Sequence, residues 1–439
     1  MIDVFPFAGF PVAVFGLDAE GLVAAQALVR AEAEVWAWDD DARARARAEE
    51  AGVPLVDLYS RDWKQTTTLV VGAAVAFDGP RCHEIVKEAR AAGCEVIGDV
   101  ELLVRTQRDS SYIGVTGTYG KSTATALIGH IMQTSGGEAE VGGCLGVPVL
   151  GLHPLGMEGT YVVGMTPSML RLTVSLTFDV AVLLNVDSDA AGYAETLKTI
   201  FHRQTSPRTA VVGVDDEGGR AVAEELRAKG EQMVIPVSGL GRIAGGVYAE
   251  DGMLHDDTGG KADPVVDLNT IAALPGAHNW QNAAAAYAAA KTAGVEPRVI
   301  MACLNSFPGL VHRQEWLATI DGVAYVNDAR ADTALAAARA LSSYEDVYWI
   351  AGGGGGDEEE AVEPFLDRVR QRYPLGDSAA DLARALETAG AAARDEMVEG
   401  VVVLLSPGSP SPASFEDFAA LGDAFRELVE ALPGERQDE

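Results

Sequence analysis

Short unbroken apolar runs alternate along the chain with longer stretches whose apolar positions recur at helical spacing. PVAVFG (11–16) reads as a buried strand. After a turn ending near Gly21, LVAAQALVRA has helical periodicity, and AEVWAWDD (33–40) is a second strand ending in acids. TTLVVGAAV (67–75), a helix through HEIVKEARAAG, and CEVIGDVELL follow. A second group opens with the strand YIGVTG and the helix KSTATALIGHIMQTSG. It runs through the strands TYVVGM, DVAVLLNV and RTAVVGVDD to a helix at HNWQNAAAAYAAAKTAG. A third group begins near DGVAYVND (321–328). It contains VYWIAGGGGG, a helical stretch, GVVVLLSPGS and a final helix in SFEDFAALGDAFRELVEAL. Strands alternating with helices predict an α/β fold, with a parallel, doubly wound sheet in the first group. Breaks near residues 107 and 315 predict three domains: 1–107, 108–314 and 315–439. GGGGGDEEE (352–360) reads as a flexible loop with solvated acids.

Composition narrows the function classes. With 439 residues, each group can bury its own core. No apolar run approaches the roughly 18–20 residues of a transmembrane helix. The opening MIDVFPFAGFPVAVFG has neither a basic n-region nor an A-x-A-like cleavage site. Cys82, Cys94, Cys144 and Cys303 form no C-x-x-C pair, which argues against disulfides and zinc. A cytoplasmic protein without membrane insertion is expected. The net charge of −32 argues against nucleic-acid binding, which needs concentrated Lys and Arg. Most of this charge serves solubility. An anionic substrate stays open where basic groups and helix N-termini gather locally.

The clearest chemical signal is GVTGTYGKST (114–123), placed between a strand and a helix. Gly117 and Gly120 let backbone N–H groups approach phosphate, with Thr118 and Thr123 in the same stretch. Lys121 can reach the β- and γ-phosphates, and the Ser122 hydroxyl can bind Mg²⁺. Val115 occupies the first position of the strict G-x-x-x-x-G-K-[ST] pattern, yet the Lys-Ser-Thr run at a helix start points to a nucleotide phosphate. By contrast, the turn from Gly16 to Gly21 is G-x-x-x-x-G, a weak dinucleotide signal.

The loop form TGTxGK[ST] resembles that of Mur ligases and folylpolyglutamate synthases. Further stretches resemble Mur ligase segments in the same order: GAHNWQNAAAA (276–286), FPGLVHRQE (307–315) and DGVAYVNDARAD (321–332). GDVELL (98–103), GGCLGVP (142–148), and LLSPGSPSPASFEDF with GDAFRELV (404–428) resemble the D-glutamate-adding branch. The resemblance runs from about residue 10 to 430. It implies a Rossmann-like N-terminal domain holding a UDP-linked muramoyl substrate and a P-loop ATPase-like central domain binding ATP and Mg²⁺. It also implies a Rossmann-like C-terminal domain that receives D-glutamate. The implied reaction is ATP-dependent amide-bond formation through an acyl phosphate, by a monomer, in peptidoglycan precursor synthesis. Position by position, Lys121 and Ser122 match phosphate and Mg²⁺ ligands, Asn279 and Arg313 match nucleotide contacts, and His312 accompanies them. Asp328 matches an acid that holds the ribose, and Arg330 keeps a positive charge beside it. Ser411 and Phe418 match glutamate contacts, and Asp39 follows a strand where the family contacts uracil. Asn279 and Asp328 also read as helix caps, and Phe418 as core.

Several positions depart from the family pattern. An acid that normally helps hold Mg²⁺ falls on Gly164. Asp189 survives from the next segment, but the adjoining metal-associated histidine is Ala190. The lysine that is carbamylated in the family aligns with Leu197, with Lys198 one residue away. Two asparagines become Tyr119 and Cys144, a Ser-Lys pair becomes Ala329-Arg330, and the third-domain lysine after G-G-x-D is missing. Two expectations stand: a working ligase whose catalytic set includes Lys121, Asp189 and Lys198, or a nucleotide-binding relative with impaired acyl transfer.

Overall fold

The computed structural model describes residues 1–187, 192–352, 357–396 and 400–437. By packing, the chain divides into two units. One holds Met1–Tyr248, His255–Val265 and Gln281–Leu304; the other holds Ala249–Leu254, Val266–Trp280 and Asn305–Glu439.

The first unit begins with a four-stranded sheet of β1 (Pro11–Phe15), β2 (Glu34–Trp38), β3 (Thr68–Val71) and β4 (Glu95–Ile97), ordered β2-β1-β3-β4 and parallel throughout. Val12, Val14 and Val70 pack on one face, and Ala13, Leu69 and Val71 on the other. Burial on both faces explains why these strands read as unbroken apolar runs. Helices α1 (Ala19–Arg30), α2 (Ala42–Glu50), α3 (Glu84–Ala91) and α4 (Asp99–Thr106) surround the sheet in sequence. Asp18 caps α1, its carboxylate accepting from Gly21 N–H at 3.0 Å. CEVIGDVELL is thus divided: β4 ends at Ile97, and α4 starts after Gly98.

A larger sheet follows. β5 (Ser111–Thr116), β6 (Ala139–Gly143), β7 (Thr160–Gly164), β8 (Val180–Leu183), β9 (Thr209–Gly213) and β10 (Met233–Ser238) stand in the order β10-β9-β8-β5-β7-β6, all parallel. The helices of this stretch are α5 (Lys121–Thr134), α6 (Pro167–Leu172), α7 (Tyr193–Lys198) and α8 (Glu217–Lys229). Then come the short strands β11 (Val247–Glu250), β12 (Met253–Asp256) and β13 (Asp263–Asp267), and helices α9 (Ala277–Thr292) and α10 (Pro297–Asn305). The alanines Ala283–Ala286 of α9 are fully buried, and so are most of their successors to Ala290. Small side chains let that stretch pack on every side, which explains its weak amphipathic signal.

The second unit contains β14 (Glu315–Ile320), β15 (Val323–Asn327), β16 (Val347–Ala351), β17 (Val369–Pro374), β18 (Val402–Leu405) and β19 (Arg436–Gln437), ordered β17-β16-β18-β15-β14-β19. At one edge of this sheet, β14 runs antiparallel to β15 and β19. Asp321 and Gly322 join β14 to β15 with φ values of 51° and 81°. Two successive left-handed residues of the Asp-Gly type make a tight hairpin turn. Helices α11 (Ala334–Leu341), α12 (Asp357–Val362), α13 (Ala379–Glu396) and α14 (Phe418–Glu430) complete the unit. Asp357–Glu360, expected in a loop, opens α12. The glycines at 353–356 lie outside the described residues. Among the described residues, no helix is long and apolar enough to cross a membrane.

Candidate functional site

Three neighbouring strands bring the chemistry of the first unit together, because β5, β7 and β8 are adjacent and parallel and so end on the same edge. The phosphate loop leaves the end of β5. Gly117 has φ 151° and Gly120 has φ 78°, a conformation that favours glycine. A Cβ on Gly120 would stand 2.6 Å from Asn282 Oδ1, so space as well as backbone excludes a side chain. Helix α5 begins after Gly120 without a side-chain cap, which suits an anion in the cap's place. Lys121 Nζ folds back over the loop, donating to Gly117 O at 2.7 Å and Thr118 O at 3.0 Å. Ser122 is buried in the first turn of α5, and Thr123 follows it, half-buried.

Asn185, at the end of β8, holds this loop and was missed in the sequence. It is 1% exposed. Its Oδ1 accepts from Tyr119 N–H at 3.0 Å, its Nδ2 donates to Tyr119 O at 3.2 Å, and its carbonyl accepts from Thr118 N–H at 3.3 Å. Thr118 Oγ1 in turn accepts from Asp187 N–H at 2.9 Å. The first polar residue after the apolar run of β8 was the available signal. Tyr119, where the family pattern has asparagine, keeps its backbone tied through Asn185.

The departures around Gly164 form one structural unit. Gly164 ends β7, and Cys144 N–H donates to its carbonyl at 2.9 Å. A Cβ on Gly164 would lie 2.2 Å from Cys144 Sγ and 2.9 Å from Thr125 Oγ1. The thiol therefore occupies the space that a side chain at 164 would need. Cys144 Sγ also stands 3.9 Å from Ser122 Oγ. A polyphosphate fits the loop's glycines, lysine and uncapped helix. A hard divalent cation fits less well: Ser122 offers one oxygen, Gly164 none, and the adjoining group is sulfur.

Asp189 and Ala190 lie outside the described residues. Leu197 is fully buried in the apolar core. Lys198 Nζ is held by Glu195 at 2.5 Å and Glu225 at 2.7 Å. Burial opposes its charge, but these two carboxylates outweigh burial and hold the ammonium above the usual lysine range. Carbamate formation needs the neutral amine, so this setting opposes carbamylation of Lys198, the lysine next to the aligned Leu197.

At the start of the unit, Asp39 follows β2. Its Oδ2 accepts from Leu17 N–H at 2.6 Å and its Oδ1 from Asp41 N–H at 2.8 Å. It thereby pins the turn after β1, a structural task beside any ligand contact.

Within the second unit, Asp328 follows β15. It is 6% exposed, and its oxygens accept from Ser406 Oγ at 2.9 Å and Gln314 N–H at 3.1 Å. Burial pushes its carboxyl up to about 7, although these hydrogen bonds and Arg313 favour the charged form. Asn279 is also buried, and its Nδ2 donates to Pro275 O at 2.8 Å. The Arg330 guanidinium lies 4.9 Å from the centre of the Phe418 ring, and His312 meets the same ring edge-on at 6.3 Å. Asn327 Nδ2 lies 3.0 Å from His312 Nδ1, and Arg330 N–H donates to His312 O at 3.1 Å. Phe418 thus lies under the Arg330 guanidinium, and it is half-buried rather than core. Ser411 lies half-buried on the segment between β18 and α14. The carboxylate of Glu315 grips Arg426 at 2.7 and 2.9 Å, a pair that sequence reading did not single out.

Residues 115–290 match the Mur ligase middle domain. The chain is 40% identical to the UDP-N-acetylmuramoylalanine–D-glutamate ligase of Rhodospirillum rubrum, over 98% of this chain and 97% of that one. The chain belongs to the Mur ligase family. The corresponding ligase of Phenylobacterium zucineum is 39% identical, with both chains covered in full. Among solved structures, the Mur ligase fold recurs in UDP-N-acetylmuramate-alanine ligase MurC from Thermotoga maritima. That structure has a TM-score of 0.55 at 15% identity, covering 96% of this chain and 99% of its own.

Proposed function

We propose that this Mur ligase joins D-glutamate to UDP-N-acetylmuramoyl-L-alanine in the cytoplasm, with ATP driving amide-bond formation through an acyl phosphate. Full-length similarity to D-glutamate ligases supports the substrates, and the loop at 114–123 is the single observation that carries ATP use. In this reading, Lys121 leaves the loop carbonyls for the β- and γ-phosphates, and the start of α5 takes over the phosphate charge. The muramoyl-alanine carboxylate attacks the γ-phosphorus, and ADP leaves. The amine of D-glutamate then attacks the acyl carbon, phosphate departs, and the amine proton passes to solvent. Mg²⁺, when bound at Ser122, supplies charge neutralisation.

Within the second unit, Asp328, Arg313 and Asn279 serve the nucleotide, while Arg330 with Phe418 and Ser411 receives the glutamate carboxylates. Asp39 shapes the turn for the uracil. Gly117, Gly120, Thr118 and Thr123 complete the phosphate cradle. A second reading, a nucleotide-binding relative with impaired transfer, is favoured by one observation: Cys144 fills the space at Gly164 where an acid would stand. A ligation assay with ATP, UDP-N-acetylmuramoyl-L-alanine and D-glutamate separates them. ADP release that requires both other substrates, with a product heavier by one glutamyl residue, supports the ligase. ATP binding without product supports the second reading, and binding of neither overturns both.

A further inference from the structure

In an open parallel sheet, ligands settle at the carboxyl ends of the strands, where the strand order reverses. The first sheet reverses between β1 and β3, since β2 lies beyond β1 and β4 beyond β3. The loops that leave β1 and β3 therefore flank its crevice, and their main-chain N–H groups are the available donors to a phosphate. Here the chain's own carboxylates take them. Asp18 Oδ1 accepts from Gly21 N–H at 3.0 Å at the start of α1, and Oδ2 from Ala74 N–H at 2.8 Å on the loop after β3. Asp39 Oδ2 accepts from Leu17 N–H at 2.6 Å. Gly72 is fitted to the Asp18 carboxylate: a Cβ there would stand 2.8 and 2.9 Å from its two oxygens. More negative charge lies close by. Glu20 and Asp99 line a cavity of about 30 Å³ whose walls, Ala73 and Thr166 among them, include no basic side chain. Asp99 Oδ2 is buried without a hydrogen-bond partner among the described residues. Burial pushes this carboxyl up to about 6, and the Glu20 and Asp18 charges add to the rise.

We propose that Asp18 decides what this crevice accepts: its carboxylate stands where a ligand phosphate would, so the diphosphate of a uridine nucleotide adds no affinity here and the nucleoside end carries recognition. The inference rests on the reading that the first sheet receives the uridine end of the substrate, and deepens it by naming the residue that sets its specificity. A diphosphate reaches Gly21 N–H and Ala74 N–H only by displacing Asp18 from both bonds. It then meets that charge together with those of Glu20 and Asp39. Like charges at such range repel strongly where water is partly excluded. Asparagine at position 18 keeps the shape and one oxygen acceptor but removes the charge. Serine still caps a helix and vacates the carboxylate's space.

The test is calorimetry of uridine and UDP against the whole chain and its Asp18→Asn and Asp18→Ser variants, with saturating ADP present to keep UDP off the loop at 114–123. The unsubstituted chain should bind UDP no more tightly than uridine. Both variants should bind UDP on the order of tenfold more tightly than the unsubstituted chain does, with uridine affinity unchanged. Thermal melts identify a variant that has lost its fold, and the other then carries the comparison. A gain for uridine equal to that for UDP would overturn the proposal, since the substitution would then act through the crevice's shape. UDP affinity that is equal in all three proteins strikes the proposal alone. If none of the three binds either ligand, the proposal falls together with the reading that this sheet holds a uridine nucleotide.

Discussion

Substituting Gly164 with alanine tests whether the glycine and Cys144 are one steric unit. The added Cβ would lie 2.2 Å from Cys144 Sγ, where ordinary contact needs roughly 3.5–4.0 Å. The Cys144 main chain is held by the bond from its N–H to Gly164 O, so relief requires the thiol to turn about its Cα–Cβ bond or Gly164 to shift. Overpacking of this kind costs about 1–3 kcal/mol. Gly164 does not have a left-handed φ, so backbone strain adds nothing. With Cys144→Ala the closest contact from that residue becomes its Cβ at 3.3 Å, and only Thr125 Oγ1 at 2.9 Å still crowds. The same Gly164→Ala change should then cost less than about 1 kcal/mol, since a less flexible unfolded chain offsets part of it. The expected coupling is about 1–2 kcal/mol, or on the order of 2–4 °C per kcal/mol in melting temperature. Thermal melts of the four proteins in the cycle measure it without reference to activity. Additive effects of the two substitutions would refute the reasoning. So would a neutral Gly164→Ala in the presence of Cys144.

Lys121→Ala should weaken ATP or ADP binding at least tenfold, about 1.4 kcal/mol, and calorimetry finding equal affinities would count against the phosphate loop. Asp328 has a folded pKa of about 7 against roughly 3.9 unfolded, so the stability tied to its protonated form is complete below that unfolded value and fades as pH rises through 7. Asp328→Asn should remove a loss of up to about 4 kcal/mol across that window, so its advantage over wild type in urea unfolding should grow from pH 5 to pH 8. His278, lowered to about 4 chiefly by burial, contributes in the opposite direction in both proteins and drops out of the difference. Asp18→Ala removes acceptors from Gly21 N–H and Ala74 N–H and should cost about 1–2 kcal/mol, read as a lower melting temperature; an unchanged melt would show the turn holds without them.

The sequence by itself carried the α/β class, because strands covered on both faces must be apolar throughout, as in Val12–Phe15 and Val180–Leu183. It also carried the phosphate loop, whose Gly-Lys-Ser order is local chemistry between one strand and one helix. The family followed from motifs spread over most of the chain. Less was legible where the deciding partner is distant in sequence. Asn185 reads as an ordinary polar residue until the pairing of β5 with β8 sets it against Tyr119, 66 positions away. Asp328 reads as a ribose-holding acid or a helix cap, and only the burial that the fold imposes pushes its carboxyl up to about 7, against the pull of Ser406 and Gln314. Gly164 and Cys144 look like two separate losses in the sequence. Only the parallel pairing of β6 with β7, which sets the thiol in the glycine's empty space, makes them one change. Local pattern fixes what a short segment can form, whereas excluded volume and desolvation depend on what the fold brings beside it.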